Sequence, residues 1–396
     1  MYTIKLVNNN SSIATPWVTF VQATEVINDN TQLIGPALAA VGGNGTSLQN
    51  GVSYSLADIS NTISMGPTGW QGHLYLSDSA LALQKSGAFP VDAAYTVTTD
   101  TARYQYLEFA GSPAQANIDI TYINWYSIPL QMERTTSQPF SSNTRGMPKS
   151  QAALSSLLTT LAGLTNNNPI TVVMNSANQI VRVISPNAGN PNWLPLYPRF
   201  KDYLCSVFLS GTQTIHLDNT YDGIVNPRSS DFKQQNYKTS SVTYCEGELI
   251  IKGTTNVLGD FQMTSKIELE TFNWMLYLAV MSYSWSFGST SNANGNTGDN
   301  NVFAAISRDL IAGFAFGFIG SNRFGSQPSS AWMEASDTEI FNSIQPDNPY
   351  YNPWANAINA CFSDVYTFPF NDYLKNFAPE LVISVGDTLT VTLLNP

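Results

Sequence analysis

The opening residues Tyr2-Thr-Ile-Lys-Leu-Val7 alternate apolar and polar side chains, which is the period of a half-buried strand. The pattern returns in short runs at Trp17–Val21, Gly51–Leu56, Gly72–Leu76, Ala94–Thr98, Tyr104–Phe109 and Ile118–Ile128, separated by turn-rich polar clusters. Such spacing predicts an antiparallel β-sandwich or barrel over residues 1–134. If 118–128 is one strand of period two, Asp119 shares a face with Thr121, Ile123 and Trp125, while Asn124 lies on the other face with Tyr122 and Tyr126.

After Arg134 the pattern changes. A Ser/Thr-rich linker over 135–150 leads into Gln151-Ala-Ala-Leu-Ser-Ser-Leu-Leu-Thr-Thr-Leu161, whose leucines recur at helical spacing. Residues 151–365 then read as an α+β domain. Strands are expected at Ile170–Val173, Ile180–Ile184 and Leu249–Lys252, and helices at Phe200–Phe208, Asn273–Tyr283, Val302–Phe314 and Trp354–Phe362. The stretch Gly288–Asn301 has no apolar anchor and is expected to be a mobile loop. From Glu380 strand alternation resumes around a Gly386-Asp387 turn, so residues 366–396 are expected to return to the β domain. The predicted fold class is mainly β with an α+β part inserted.

Charge narrows the list of partners. Only 11% of the 396 residues are Asp, Glu, Lys or Arg, against about 25% in ordinary globular domains. With 17 Lys plus Arg against 28 Asp plus Glu, the net charge of −11 disfavours phosphate backbones and anionic lipid, so no nucleic-acid partner is expected. The longest apolar stretches are broken by polar residues and do not read as membrane spans. Met1–Val7 lacks the apolar run of a secretory signal, which leaves an intracellular location or secretion with the signal already removed. Cys205, Cys245 and Cys361 lie far apart with no metal or redox spacing, and a single disulfide among them is conceivable.

Two histidines, His73 and His216, are too few for a His-rich metal site, and each reads most simply as hydrogen-bonded structure. No metal and no cofactor are expected. Carboxylates remain, and glycoside hydrolysis is a reaction that two carboxylates carry alone. Glu108 sits inside Tyr104-Gln-Tyr-Leu-Glu-Phe109, and Asp119 inside the strand run that follows. On pattern alone, each reads as a solvated outer-face charge.

Several segments, in order along nearly the whole chain, resemble the thaumatin-like β-1,3-glucanases of glycoside hydrolase family 64. Gly72-His-Leu-Tyr-Leu-Ser77 is similar to the family's Gly-Arg-aromatic-Ser strand, and Leu107-Glu-Phe109 to its Val-Glu-Phe segment. Ala116-Asn-Ile-Asp-Ile-Thr-Tyr-Ile-Asn-Trp-Tyr-Ser-Ile-Pro-Leu130 is similar to Ala-Asn-Ile-Ser-x-Val-Asp-Phe-x-x-Leu-Pro. Val181-Arg-Val-Ile-Ser-Pro186, Ala304-Ala-Ile-Ser-Arg-Asp-Leu310 and Tyr366-Thr-Phe-Pro-Phe-Asn-Asp372 resemble weaker landmarks.

The resemblance implies a thaumatin-like β domain, an α+β domain, and a broad groove between them for laminarin-type β-1,3-glucan. It also implies inverting hydrolysis, with Glu108 as the acid and a carboxylate about 6.5–9.5 Å away as the base. At the base position this chain carries Asn124, and an amide cannot accept a proton as a carboxylate does. Asn371 likewise replaces the first of two aspartates while Asp372 is kept, and Asn359 stands where family members often have His.

Three readings of Asn124 follow: a lost base, a base supplied instead by Asp119 or Asp372, or a register shifted by a bulge. Loss or impairment is favoured, because Asp119 is expected to face away from Asn124. Tyr122, Trp125 and Tyr126, together with Asn371, are the candidate sugar contacts, through aromatic stacking and amide hydrogen bonds. The rival expectation is a catalytically silent relative serving as a carbohydrate-binding, storage or crystal-forming, or toxin-associated assembly protein. Self-association then replaces catalysis.

Overall fold

The two ends of the chain meet inside one sheet, and that pairing closes the first part of the fold. The structure is a computed structural model. It describes residues 2–22, 40–49, 51–65, 70–85, 95–97, 101–111, 115–136, 143–188, 194–198, 200–206, 214–221, 235–256, 259–278, 297–347 and 350–396. The chain divides into two compact units. The first comprises Met1–Ala188, Ala357–Thr367 and Ala378–Pro396, and the second comprises Gly189–Asn356 and Phe368–Phe377. The first unit therefore takes in residues 135–188, which the sequence reading assigns to a linker and the start of the α+β domain.

The strands of the first unit, in chain order, open with β1 (Tyr2–Asn8), β2 (Trp17–Gln22), β3 (Ala40–Gly42), β4 (Ser53–Ser55), β5 (Thr62–Met65) and β6 (Trp70–Ser77). Next come β7 (Leu83–Lys85), β8 (Tyr95–Val97), β9 (Tyr104–Gly111), β10 (Gln115–Ile120), β11 (Trp125–Tyr126), β12 (Leu130–Thr135) and β13 (Thr144–Arg145). Helix α1 (Gln151–Gly163) and strands β14 (Val172–Met174) and β15 (Ile180–Ile184) follow.

After the second unit, with its strands β16 (Asp218–Tyr221), β17 (Gln235–Cys245), β18 (Glu248–Thr255) and β19 (Gly259–Lys266), the chain returns as β20 (Glu380–Ser384) and β21 (Thr388–Leu393). One sheet runs β13-β12-β21-β1-β5-β3 and the other β20-β10-β9-β6-β2-β4. The returning hairpin thus gives one strand to each sheet. Its turn uses Gly386 at φ 96°, and the Asp387 carboxylate accepts from the Ser384 N–H at 2.9 Å.

Alternation fixes which side chains are inward. Ile4, Leu6, Ile63, Met132, Leu389 and Val391 from the first sheet, and Phe20, Leu74, Leu76, Leu107, Phe109, Ile118 and Ile120 from the second, are buried. Each such side chain stabilises the fold by about 1.5–3 kcal/mol relative to exposure. Arg134 is inward as well, and its guanidinium donates to the Val382 carbonyl of β20. A buried charge is tolerated there because its remaining nitrogens meet the Asn143 side-chain Oδ1 at 3.0 and 3.3 Å.

In the second unit, β16–β19 form a four-stranded antiparallel sheet. With it lie α2 (Lys201–Leu204), α3 (Leu269–Leu278), α4 (Thr297–Ala315) and α5 (Ser329–Trp332), while α6 (Pro353–Asn359) runs across the division. Its core is aromatic: Phe272, Phe314, Phe316, Phe318, Trp332 and Trp354 are all buried. Mainly β with an α+β part is thus the fold class of the chain.

Two local expectations fail. The run 118–128 is not one strand: β10 stops at Ile120, and the chain bends before β11. Thr121 and Tyr122 are both fully buried in succession, which alternation forbids, and Tyr122 packs at 5.5 Å on Phe362. The expected loop Gly288–Asn301 becomes helix from Thr297, where α4 begins; its first nine residues lie outside the described ones. The expected helices at Phe200–Phe208 and Asn273–Tyr283 likewise end beyond the described residues. Cys205, Cys245 and Cys361 are all free thiols, and burial pushes Cys361 up to about 11. Among the described residues no helix is long and apolar enough to cross a membrane.

Candidate functional site

The outer face of the second sheet is built by strand register. Antiparallel pairing sets His73 of β6 directly opposite Glu108 of β9, Glu108 opposite Asp119 of β10, and Asp119 opposite Glu380 of β20. Directly opposed residues point to the same face. These four side chains therefore form one row across four neighbouring strands, facing away from Leu107, Phe109, Ile118 and Ile120.

A second row lies one same-face repeat along, where Tyr75 and Tyr106 are paired, and Tyr104 follows. Their rings pack with His73 and Trp125: His73 to Tyr106 at 4.4 Å, Tyr75 to Tyr106 at 5.5 Å, and Tyr106 to Trp125 at 4.9 Å. The Arg182 guanidinium stands 4.2 Å from the Tyr104 ring and donates to the Ala102 carbonyl at 2.9 Å. Tyr75, Tyr104, Tyr106 and His73 are buried, while Trp125 is half-buried.

Asn124 joins this face, and the expectation that Asp119 faces away from it is overturned. The Asn124 side-chain amide donates to the Tyr106 hydroxyl at 2.8 Å, and Tyr106 shares a strand face with Glu108. The cause is the bend after Ile120, which resets alternation. Gln105 holds the bent segment: its amide donates to the Thr121 carbonyl at 2.8 Å, and its oxygen accepts from the Ser127 N–H at 3.2 Å. Ser185 fastens the other side, its N–H donating to the Asn124 carbonyl at 3.0 Å and its hydroxyl to the Ile123 carbonyl.

The remaining sequence candidates fall elsewhere. Tyr122 and Tyr126 are fully buried beside Phe362, and the Tyr122 hydroxyl accepts from the Leu130 N–H at 2.9 Å, so both are core residues beyond the reach of a polysaccharide. Asn371 is buried in the second unit, its oxygen accepting from the Phe368 N–H at 2.9 Å to close a turn. Asp372 also belongs to the second unit, where burial pushes its carboxyl up and Arg308 pulls it down. Asn359 lies at the end of α6 with its side-chain oxygen buried and without a hydrogen-bond partner. Sequence reasoning missed His73. The signal was its place in Gly72-His-Leu-Tyr-Leu-Ser77, where the resembling family has an arginine.

Electrostatics single out Asp119. Burial pushes its carboxyl well above the usual range, and the anionic neighbours Glu108 and Glu380 push it further. Its Oδ1 is buried and has no hydrogen-bond partner. A carboxyl raised in the folded state keeps a proton that the unfolded chain has released. Its contribution to stability is therefore complete below the unfolded value near 3.9 and is lost as pH rises through the folded one. Asp119→Asn, which is neutral without taking up a proton, is accordingly expected to be more stable than wild type at pH 7, by about 1.4 kcal/mol for each pH unit by which folding raises the Asp119 carboxyl. The gain vanishes near pH 4, as paired thermal melts at the two pH values will read.

Among the described residues no group of three or more His, Cys, Asp or Glu side chains is arranged to hold a metal ion. The chemistry on offer is that of two adjacent carboxyls, an imidazole and an amide on a face bordered by aromatic rings.

A two-sheet β unit joined to an α+β unit, with carboxyls on one sheet face, is the architecture of known β-1,3-glucanase structures. A laminaripentaose-producing β-1,3-glucanase, solved in complex with laminaritetraose, is similar with a TM-score of 0.57 at 16% identity, over 100% of this chain and 98% of that one. A β-1,3-glucanase domain (GH64) from Clostridium beijerinckii is similar with a TM-score of 0.53 at 12% identity, over 99% and 97%. At these identities the likeness is one of fold. No family model matches the chain, and no curated relative matches it.

Proposed function

We propose that this chain binds β-1,3-glucan over the outer face of the second sheet and cleaves it weakly, with Glu108 as the proton donor. The observation that carries the reading is the Asn124–Tyr106 contact: it brings an amide to the hydroxyl of a tyrosine that shares its strand face with Glu108. An inverting base stands about 6.5–9.5 Å from the acid, and this reading assigns that place to Asn124, which lacks the chemistry of a base. The fold shared with a glucanase crystallised with laminaritetraose supports glucan as the ligand.

Weak turnover follows from the residues present. An amide cannot take a proton from water. Asp119, directly beside Glu108 with Cβ separations of about 4.5–5.5 Å for such pairs, is closer than an inverting base stands. Half-buried Trp125 is the ring this reading assigns to stacking on a sugar.

Release of reducing sugar from laminarin by the purified chain tests the reading. Glu108→Gln is expected to lower that release about 10²–10⁴-fold, the usual worth of a general acid. Equal rates in the two proteins would remove Glu108 from the chemistry. A second reading, binding without turnover, is favoured by the same Asn124 amide. It predicts that laminarin slows the native chain in an affinity gel while no sugar is released.

A further inference from the structure

We propose that Glu108 and Asp119 hold a single proton between them over the neutral range, with Asp119 as a positioning residue that leaves Glu108 the ionised member. The geometry comes first. Pairing places the two carboxyls on adjacent strands, directly opposed and on one face. Glu380 stands directly opposite Asp119 on its other side, and His73 lies beyond Glu108. The bent segment that returns to this face contributes the uncharged side chains Asn124 and Trp125.

The charged groups raising Asp119 are thus the anions of the strands on either side of it, Glu108 and Glu380. Two ionised carboxyls cannot be accommodated side by side where one of them is buried. Asp119 has an oxygen that is both buried and without a hydrogen-bond partner, whereas Glu108 is half-buried and Glu380 exposed. The neutral form therefore settles on Asp119. The pair carries one negative charge with one proton, none with two, and two negative charges only when Asp119 finally ionises.

The catalytic consequence rests on the hydrolase reading given above. An ionised Glu108 has no proton to donate to a glycosidic oxygen. Laminarin hydrolysis is then expected to increase as pH falls, because the donor must carry a proton.

Carboxyl-carbon NMR of the full chain labelled in Asp and Glu tests the pairing without reference to activity. The expected result is two separated steps, with Asp119 ionising well above the ordinary carboxylate range. Glu108→Gln lowers the Asp119 midpoint by about one pH unit or more, as interaction of a coupled pair requires. Glu380→Gln, at an exposed position, lowers it less and serves if Glu108→Gln does not fold. An Asp119 midpoint in the ordinary range, or one unmoved by both substitutions, overturns the proposal. Absence of sugar release at every pH with both steps intact would instead overturn the hydrolase reading and leave the shared proton standing.

Discussion

Asn124→Asp is expected to raise laminarin hydrolysis about 10²–10⁴-fold over the native chain, the range that a general base contributes. The position is already held by structure. The Ser185 N–H and hydroxyl fix the segment through the Asn124 and Ile123 carbonyls, and the Asn124 side chain already reaches the Tyr106 hydroxyl at 2.8 Å. In the variant that hydroxyl rotates to donate to the new carboxylate, and a hydrogen bond to the charged form favours ionisation. The new base then shares the Tyr106 hydroxyl, on the strand face that carries Glu108.

Initial rates of sugar release from laminarin measure the gain. In the double variant with Glu108→Gln the gain is expected to disappear, because acid and base act as a unit and their effects do not add. No gain from Asn124→Asp would mean that water is not activated at this position.

Asp309→Ala is expected to destabilise the second unit by about 2–4 kcal/mol, the cost of taking a fully buried acceptor away from its hydrogen-bond donors. Asp309 is fully buried on α4. It accepts from the Tyr237 hydroxyl at 2.7 Å and the Asn219 amide at 3.2 Å, and lies 3.4 Å from the Arg308 guanidinium. Arg308 also stands 5.3 Å from the Tyr373 ring. Alanine leaves a hydroxyl, an amide and a guanidinium without their acceptor, and opens a cavity. Urea unfolding followed by tryptophan fluorescence reports the loss through Trp332 and Trp354, both fully buried in this unit. Asp309→Asn keeps an oxygen acceptor and is expected to cost less.

Much of the sandwich was legible because its strands obey a period of two with an apolar inner face. Tyr2–Asn8 and Thr388–Leu393 are examples. The strand β17, Gln-Asn-Tyr-Lys-Thr-Ser-Ser-Val-Thr-Tyr-Cys, was not legible, because its side chains are polar on both faces and largely exposed. Glu108 stood out as a candidate only through resemblance. Its partnership with Asp119 and His73 depends on strand register, which is a tertiary property set by distant pairings. Asn124 was placed on the wrong face for a related reason: Tyr122 leaves the strand pattern to pack on Phe362, more than 200 residues later in the chain.

The parallel pairing of β1 with β21 sets the order in which this protein can be made. β21 lies between β1 and β12, and β20 supplies the edge beside Asp119, so neither sheet is complete until residues 380–393 have left the ribosome. The second unit, contained within residues 189–377, has all its strands available earlier. Nascent chains would therefore carry the completed β16–β19 sheet while the sandwich is still open, and closure must wait for contacts of very long sequence separation, which are slow to form. During that interval the unfilled slot between β1 and β12 is a strand-shaped vacancy, open to the β21 segment of a neighbouring chain.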